Sequence, residues 1–119
     1  MSLFRRGPGR VDPAEANRRT AEGGAVLLDV REDAEWKAGH APHAVHLPLS
    51  RLADGAELPG HLKGRPVVAV CRSGNRSQKA ARLLADRGVD AVDVTGGMAA
   101  WERRGLPVRD GRGRPGTVA

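Results

Sequence analysis

The sequence predicts an α/β domain, a parallel sheet covered by helices on both faces. Short apolar runs such as Ala25-Val26-Leu27-Leu28 and Val67-Val68-Ala69-Val70 lack polar–apolar alternation, so both faces of these strands must be buried. Stretches with helical start and stop signals separate such runs at least four times, the pattern of a helix-covered parallel sheet. In sheets of this kind ligands bind at the C-terminal ends of the strands.

The elements follow in order. Residues 1–10 are rich in Gly, Pro and Arg and are expected to be flexible, with a short strand near Arg10-Val11. Asp12-Pro13-Ala14-Glu15 starts a helix: an acidic N-cap, proline at the first helical position and an acid two residues on. It runs to about Glu22 and stops at Gly23-Gly24. Ala25 to Val30 is a buried strand, Arg31 to Ala38 a short helix ended by Gly39, and Ala44 to Leu47 a strand bounded by Pro42 and Pro48. Leu49 to Leu62 reads as a short helix and loop capped by Ser50. Pro66 to Cys71 is the next strand, followed by a helical pattern over Gln78 to Arg87 with Gly88 as its stop. Ala91 to Val94 is the last strand, and Met98 to Arg104 the last helix. The domain is expected over 11–108, with 109–119 a disordered basic tail.

Composition narrows the class. At 119 residues the chain suits one domain with a proper core, and 39% apolar with 29% charged residues suits a soluble globule. No run approaches the ~20 apolar residues that span a bilayer. The arginines near the N-terminus precede no apolar stretch, so no signal peptide is expected and the cytoplasm is the default location. The net charge of +6 could serve nucleic acid, but aromatic residues are only 3% and tyrosine is absent, leaving no stacking platform. A monomer without nucleic-acid or membrane partners is expected.

Cys71 is the single cysteine, which excludes an internal disulfide and makes a poor metal site. His40, His43 and His46 are spaced by three, but Pro42 and Pro48 place them in loop and strand rather than on a helix face. No metal and no cofactor are expected. Trp36 and Trp101 read as packing residues.

The stretch that carries chemistry is Cys71-Arg72-Ser73-Gly74-Asn75-Arg76-Ser77. A cysteine between a buried strand and a helix start sits where backbone N–H groups and the helix dipole favour negative charge. A free cysteine has a pKa of ~8.5, and helix N-termini or nearby cations lower it. Arg72 and Arg76 supply the cations, and Gly74 permits the positive φ of a curled loop. Asn75 also tolerates left-handed geometry.

These landmarks together resemble the rhodanese-like (sulfurtransferase) family in its single-domain form. The pieces are Leu28-Asp29-Val30-Arg31-Glu32, Gly39-His40-Ala41-Pro42-His43-Ala44, Leu47-Pro48-Leu49, the Cys71 loop, and Gly96-Gly97-Met98-Ala99-Ala100-Trp101, in the family's order. The resemblance implies that Cys71 is the nucleophile and carries a persulfide sulfur from an anionic donor, such as thiosulfate, to a thiol or cyanide. It implies that Arg72, Ser73, Gly74, Asn75 and Arg76 curl around the sulfur as a nest binding the donor. Asp29 and Arg31 then form a polar pair supporting the loop. The larger thiosulfate enzymes carry a basic, substrate-contacting residue where this chain has Glu35, which throws more of the anion binding onto Arg72 and Arg76. Small members often serve protein sulfur relays, so a carrier module with little free thiosulfate activity is the alternative. A cysteine phosphatase ranks third: it needs C-x5-R, and Cys71-x4-Arg76 is one residue shorter.

Overall fold

The computed structural model describes residues 8–119. The expected flexible segment therefore lies largely outside the described residues. The chain order is β1 (Arg10–Val11), α1 (Pro13–Ala21), β2 (Val26–Asp29), α2 (Asp33–Ala38), β3 (Val45–His46), α3 (Leu49–Ala53), β4 (Val67–Val70), α4 (Asn75–Asp86), β5 (Ala91–Val94) and α5 (Gly97–Arg103). A 3-10 turn, Gly60–Leu62, lies between α3 and β4.

The strands form one five-stranded sheet in the order β1-β5-β4-β2-β3, and every pairing is parallel. β4 lies at the centre, between β2 and β5. Register places Leu28 opposite Ala69 and Ala69 opposite Asp93. The strands are buried on both sides, as their unbroken apolar runs require, and successive residues enter different cores. Val67, Ala69 and Cys71 join Leu52, Ala80 and Leu84 on the α3/α4 face. Val68 and Val70 join Ala16, Met98 and Trp101 on the α1/α5 face. A buried leucine such as Leu52 or Leu84 typically loses about 2–5 kcal/mol on truncation to alanine.

Local signals act as the sequence indicates at α1. Asp12 Oδ1 accepts the Glu15 N–H at 2.8 Å and Pro13 opens the helix. Ser50 does not cap α3; Pro48 holds that place, and the Ser50 hydroxyl donates instead to Glu32. Helix α4 starts at Asn75, three residues ahead of the expected Gln78, because Gly74 takes φ +107° and turns the chain straight into the helix. Only Arg72, Ser73 and Gly74 separate β4 with its Cys71 from α4.

Two boundaries differ from expectation. Arg10 pairs in β1, so the domain takes in a residue assigned to the flexible N-terminus. The tail is folded back rather than disordered. Arg109 bridges both His40 and Pro115, Thr117 N–H donates to the Ala38 carbonyl at 3.1 Å and Gly116 N–H to that of Val108 at 3.1 Å. Composition could not show this, because the tail is anchored by backbone bonds and glycine contacts. A Cβ on Gly116 would stand 2.8 Å from the Ala38 oxygen.

Candidate active site

The site is built at the C-terminal end of the central strand, where β4 delivers Cys71 to the start of α4. Cys71 is buried at 1% exposure. Its Sγ accepts the Gly74 N–H at 3.1 Å. The Asn75, Arg76 and Ser77 N–H groups belong to the first turn of α4, where no preceding carbonyl can take them up. The concave nest expected over Arg72 to Arg76 is thus shorter: one loop amide on the sulfur, backed by a helix N-terminus. Asn75 is helical and has no left-handed role.

A buried chain of polar groups runs away beneath the sulfur. Ser77 Oγ lies 3.4 Å from Cys71 Sγ and donates to Asp93 Oδ2 at 2.9 Å. Asp93 is 2% exposed and is paired with Arg10, whose Nε reaches Oδ1 at 3.0 Å. The same guanidinium donates to the Gly74 carbonyl at 3.2 Å, so it braces the loop that holds the sulfur. A carboxylate taken this far from water needs such partners. No role for Ser77, Asp93 or Arg10 is legible in the sequence by itself. The one available signal was a charged residue inside the apolar run Ala91-Val92-Asp93-Val94.

Arg76 leaves α4 and meets Glu35 of α2 in a bidentate pair, Nη1 to Oε1 at 2.6 Å and Nη2 to Oε2 at 2.7 Å. This contact holds the Glu35 carboxyl below its ordinary range. In return Glu35, with Coulombic help from Cys71 and Asp29, raises the guanidinium's pKa. Arg72 is exposed, and its Nε donates to the Ala119 carbonyl at 3.0 Å. Ser73 is also exposed.

Asp29 and Arg31 are both fully buried and paired, Arg31 Nη2 to Asp29 Oδ2 at 2.8 Å. Arg31 Nη2 also donates to the Gly39 carbonyl at 2.7 Å. Val30 N–H donates to the Val70 carbonyl, so this pair stands beside the strand end that carries Cys71. Arg31 Nη1 is the one buried side-chain polar atom without a hydrogen-bond partner among the described residues.

The loop is also held from the far side. Met98 N–H donates to the Cys71 carbonyl at 2.7 Å and Ala99 N–H to that of Arg72 at 2.9 Å. Gly97, at φ +58°, allows this approach, since a Cβ there would stand 2.6 Å from the Arg72 oxygen. His40, His43 and His46 are engaged apart from the sulfur. His40 and His46 stack on Trp36 with centroids at 3.5 and 4.7 Å, and His43 Nε2 lies 2.8 Å from Thr20 Oγ1. Trp101 is buried, and its Nε1–H donates to the Pro107 carbonyl.

Among the described residues no helix is long and apolar enough to cross a membrane. The chain is 40% identical over 104 residues to an HTH-type transcriptional regulator of Mycobacterium tuberculosis, covering 85% of this chain and 45% of the regulator. It thus spans less than half the length of that relative. A rhodanese-related protein of Thermoplasma volcanium superposes with a TM-score of 0.72 at 28% identity, over 84% of this chain and 96% of that one. A protein of unknown function from Rhodopseudomonas palustris, described as a possible tyrosine phosphatase, shares the fold with a TM-score of 0.75 at 22% identity, over 86% and 85% of the two chains. The Rhodanese-like domain model matches residues 12–104, from the cap of α1 to the end of α5, and the chain belongs to that family.

Proposed function

We propose that this protein is a sulfurtransferase that moves a sulfane sulfur through a persulfide on Cys71. The observation that carries the reading is the Cys71 sulfur accepting the Gly74 N–H at 3.1 Å at the N-terminus of α4. An anionic sulfur there meets a backbone donor and the positive end of a twelve-residue helix.

In the first half-reaction the Cys71 thiolate attacks the outer sulfur of a donor such as thiosulfate. The S–S bond of the donor breaks, sulfite leaves with the electron pair, and Cys71 holds the transferred sulfur as a persulfide anion. In the second, cyanide or a thiolate attacks that outer sulfur and the Cys71 thiolate departs. Gly74, Asn75 and Arg76 present N–H groups to the charge on the sulfurs, Arg72 and Ser73 line the exposed mouth, and Asp29 and Arg31 support the strand end. A lone thiol working in this way suits a reducing compartment such as the cytoplasm.

The Glu35–Arg76 pair favours a second reading beside the first, a carrier that receives sulfur from a protein partner and shows little free thiosulfate activity. It occupies the arginine that a free anionic donor would use. The short Cys71-x4-Arg76 loop argues against phosphate as the substrate.

The test is a thiosulfate-to-cyanide assay on the wild type and Cys71→Ser, with intact-mass measurement for a gain of about 32 Da, one sulfur added as a persulfide. Thiocyanate and the adduct from the wild type alone are expected. Neither product with any donor would sink the reading; an adduct formed only with a protein persulfide donor would select the carrier. Turnover of p-nitrophenyl phosphate would point to the phosphatase.

A further inference from the structure

We propose that Glu35 is a specificity-determining residue that selects a sulfur donor carrying one negative charge over a dianion, an inference that rests on the Cys71 persulfide reading. The argument begins with which cations near the loop are already taken. Arg10 is held by Asp93, Arg31 by Asp29 and Arg76 by Glu35. Arg72 is engaged as well, its Nε donating to the Ala119 main-chain oxygen at 3.0 Å. It stands exposed to water, where screening weakens its pull on an anion.

Glu35 is placed to hold Arg76 firmly. The two terminal guanidinium nitrogens each meet one carboxylate oxygen, at 2.6 and 2.7 Å, the fork geometry that makes arginine–carboxylate pairs strong and directional. Glu35 is fixed in turn, because its Oε1 accepts the Glu32 N–H at 3.1 Å in a capping box at the start of α2. An incoming anion cannot take the Arg76 fork without displacing a carboxylate that is itself anchored. It must bind beside the pair, close to a fixed negative charge, and a dianion is repelled about twice as strongly as a monoanion.

The chemistry needs only one charge on the donor. A thiosulfonate is thiosulfate with one oxyanion replaced by carbon. The Cys71 thiolate attacks its outer sulfur, the S–S bond breaks and a sulfinate leaves with the electron pair, so one thiolate and one thiosulfonate give one persulfide anion and one sulfinate. An alkyl persulfide monoanion reacts in the same sense and releases a thiolate. Both avoid the second charge that Glu35 opposes.

The experiment measures kcat/KM for thiosulfate and for methanethiosulfonate, with cyanide as acceptor, in the wild type and Glu35→Gln. The glutamine keeps the size and one hydrogen bond to Arg76 and removes the charge. The wild type is expected to prefer methanethiosulfonate. The variant should gain roughly tenfold on thiosulfate and less than about threefold on methanethiosulfonate. Parallel changes with both donors, or none, would overturn the proposal. A measurement on the wild type alone guards against a misfolded variant: sulfate should inhibit no more strongly than methanesulfonate, and tighter inhibition by sulfate would equally overturn it. Intact mass separates the two levels. A persulfide on Cys71 with an unchanged donor ratio sinks only the role of Glu35, whereas no persulfide from either donor sinks the sulfurtransferase reading beneath it.

Discussion

Ser77 gives its hydroxyl hydrogen to Asp93 at 2.9 Å while its oxygen faces the Cys71 sulfur at 3.4 Å. A serine has one hydrogen to donate. Asp93 Oδ2 claims it, so Ser77 presents a lone pair to the sulfur and the N–H of Gly74 is left as the sulfur's donor. The buried carboxylate thus sets the polarity of the floor of the site.

Asp93→Ala strands that serine. Ser77 is fully buried and loses its acceptor, while Arg10, partly exposed, can turn to water. Leaving a buried hydroxyl unpaired costs about 1–3 kcal/mol. Urea unfolding is expected to show a lower midpoint at an unchanged slope, with slower loading of Cys71. Asp93→Ala should cost more than Ser77→Ala, which removes the hydroxyl itself. The reverse order would refute this account.

Gly97 should be far less tolerant than Gly88, although both have positive φ. A Cβ on Gly88 meets nothing within 4 Å, so Gly88→Ala costs only the backbone strain, about 1–2 kcal/mol. On Gly97 it would press on the Cys71 and Arg72 carbonyls and push the loop off the amides of Met98 and Ala99. Displacements of an ångström commonly cost ~100-fold in rate. Gly97→Ala is expected to lower persulfide formation by roughly ten- to a hundred-fold; rates equal to those of Gly88→Ala would show that the contact is slack.

The tail offers a separate handle. In Gly116→Ala the new methyl would meet Ala38, Arg109 and Asp110 backbone atoms at 2.8 Å, and the strap over α2 should lift. Trypsin would then cut after Arg112 at least about tenfold faster, while the apolar cores on the two sheet faces remain folded. Unchanged cleavage would mean that the tail adapts without leaving.

Acid should weaken the Glu35–Arg76 pair in a defined window. Arg76 lowers the Glu35 pKa in the folded state from its ordinary 4.5. The unfolded chain therefore takes up the proton first, and the stabilisation, complete above 4.5, is lost as pH falls through the lower folded value. Urea midpoints of the wild type and Glu35→Gln should differ by a constant amount near neutral pH and converge in acid. A difference that does not shrink at all as the pH falls below 4.5 would exclude the ion pair as its source.

Much of this protein was legible in its residues, and the reason is local. Unalternating apolar runs fix strands buried on both faces, Asp12-Pro13 fixes a helix start, and a cysteine between strand and helix fixes where a thiol meets backbone donors. These depend on neighbours within a few positions. The early start of α4 was hidden because Gly74 and Asn75 carry no apolar periodicity, and the docking of 109–119 because backbone groups make its bonds. What only the tertiary structure decided is who partners each charge. Arg76 and Glu35 are 41 positions apart, and Arg10 and Asp93 are 83 apart. The sheet order β1-β5-β4-β2-β3 brings them together. The position of the thiol is written in the sequence, while the field around it comes from pairings that only the folded chain makes.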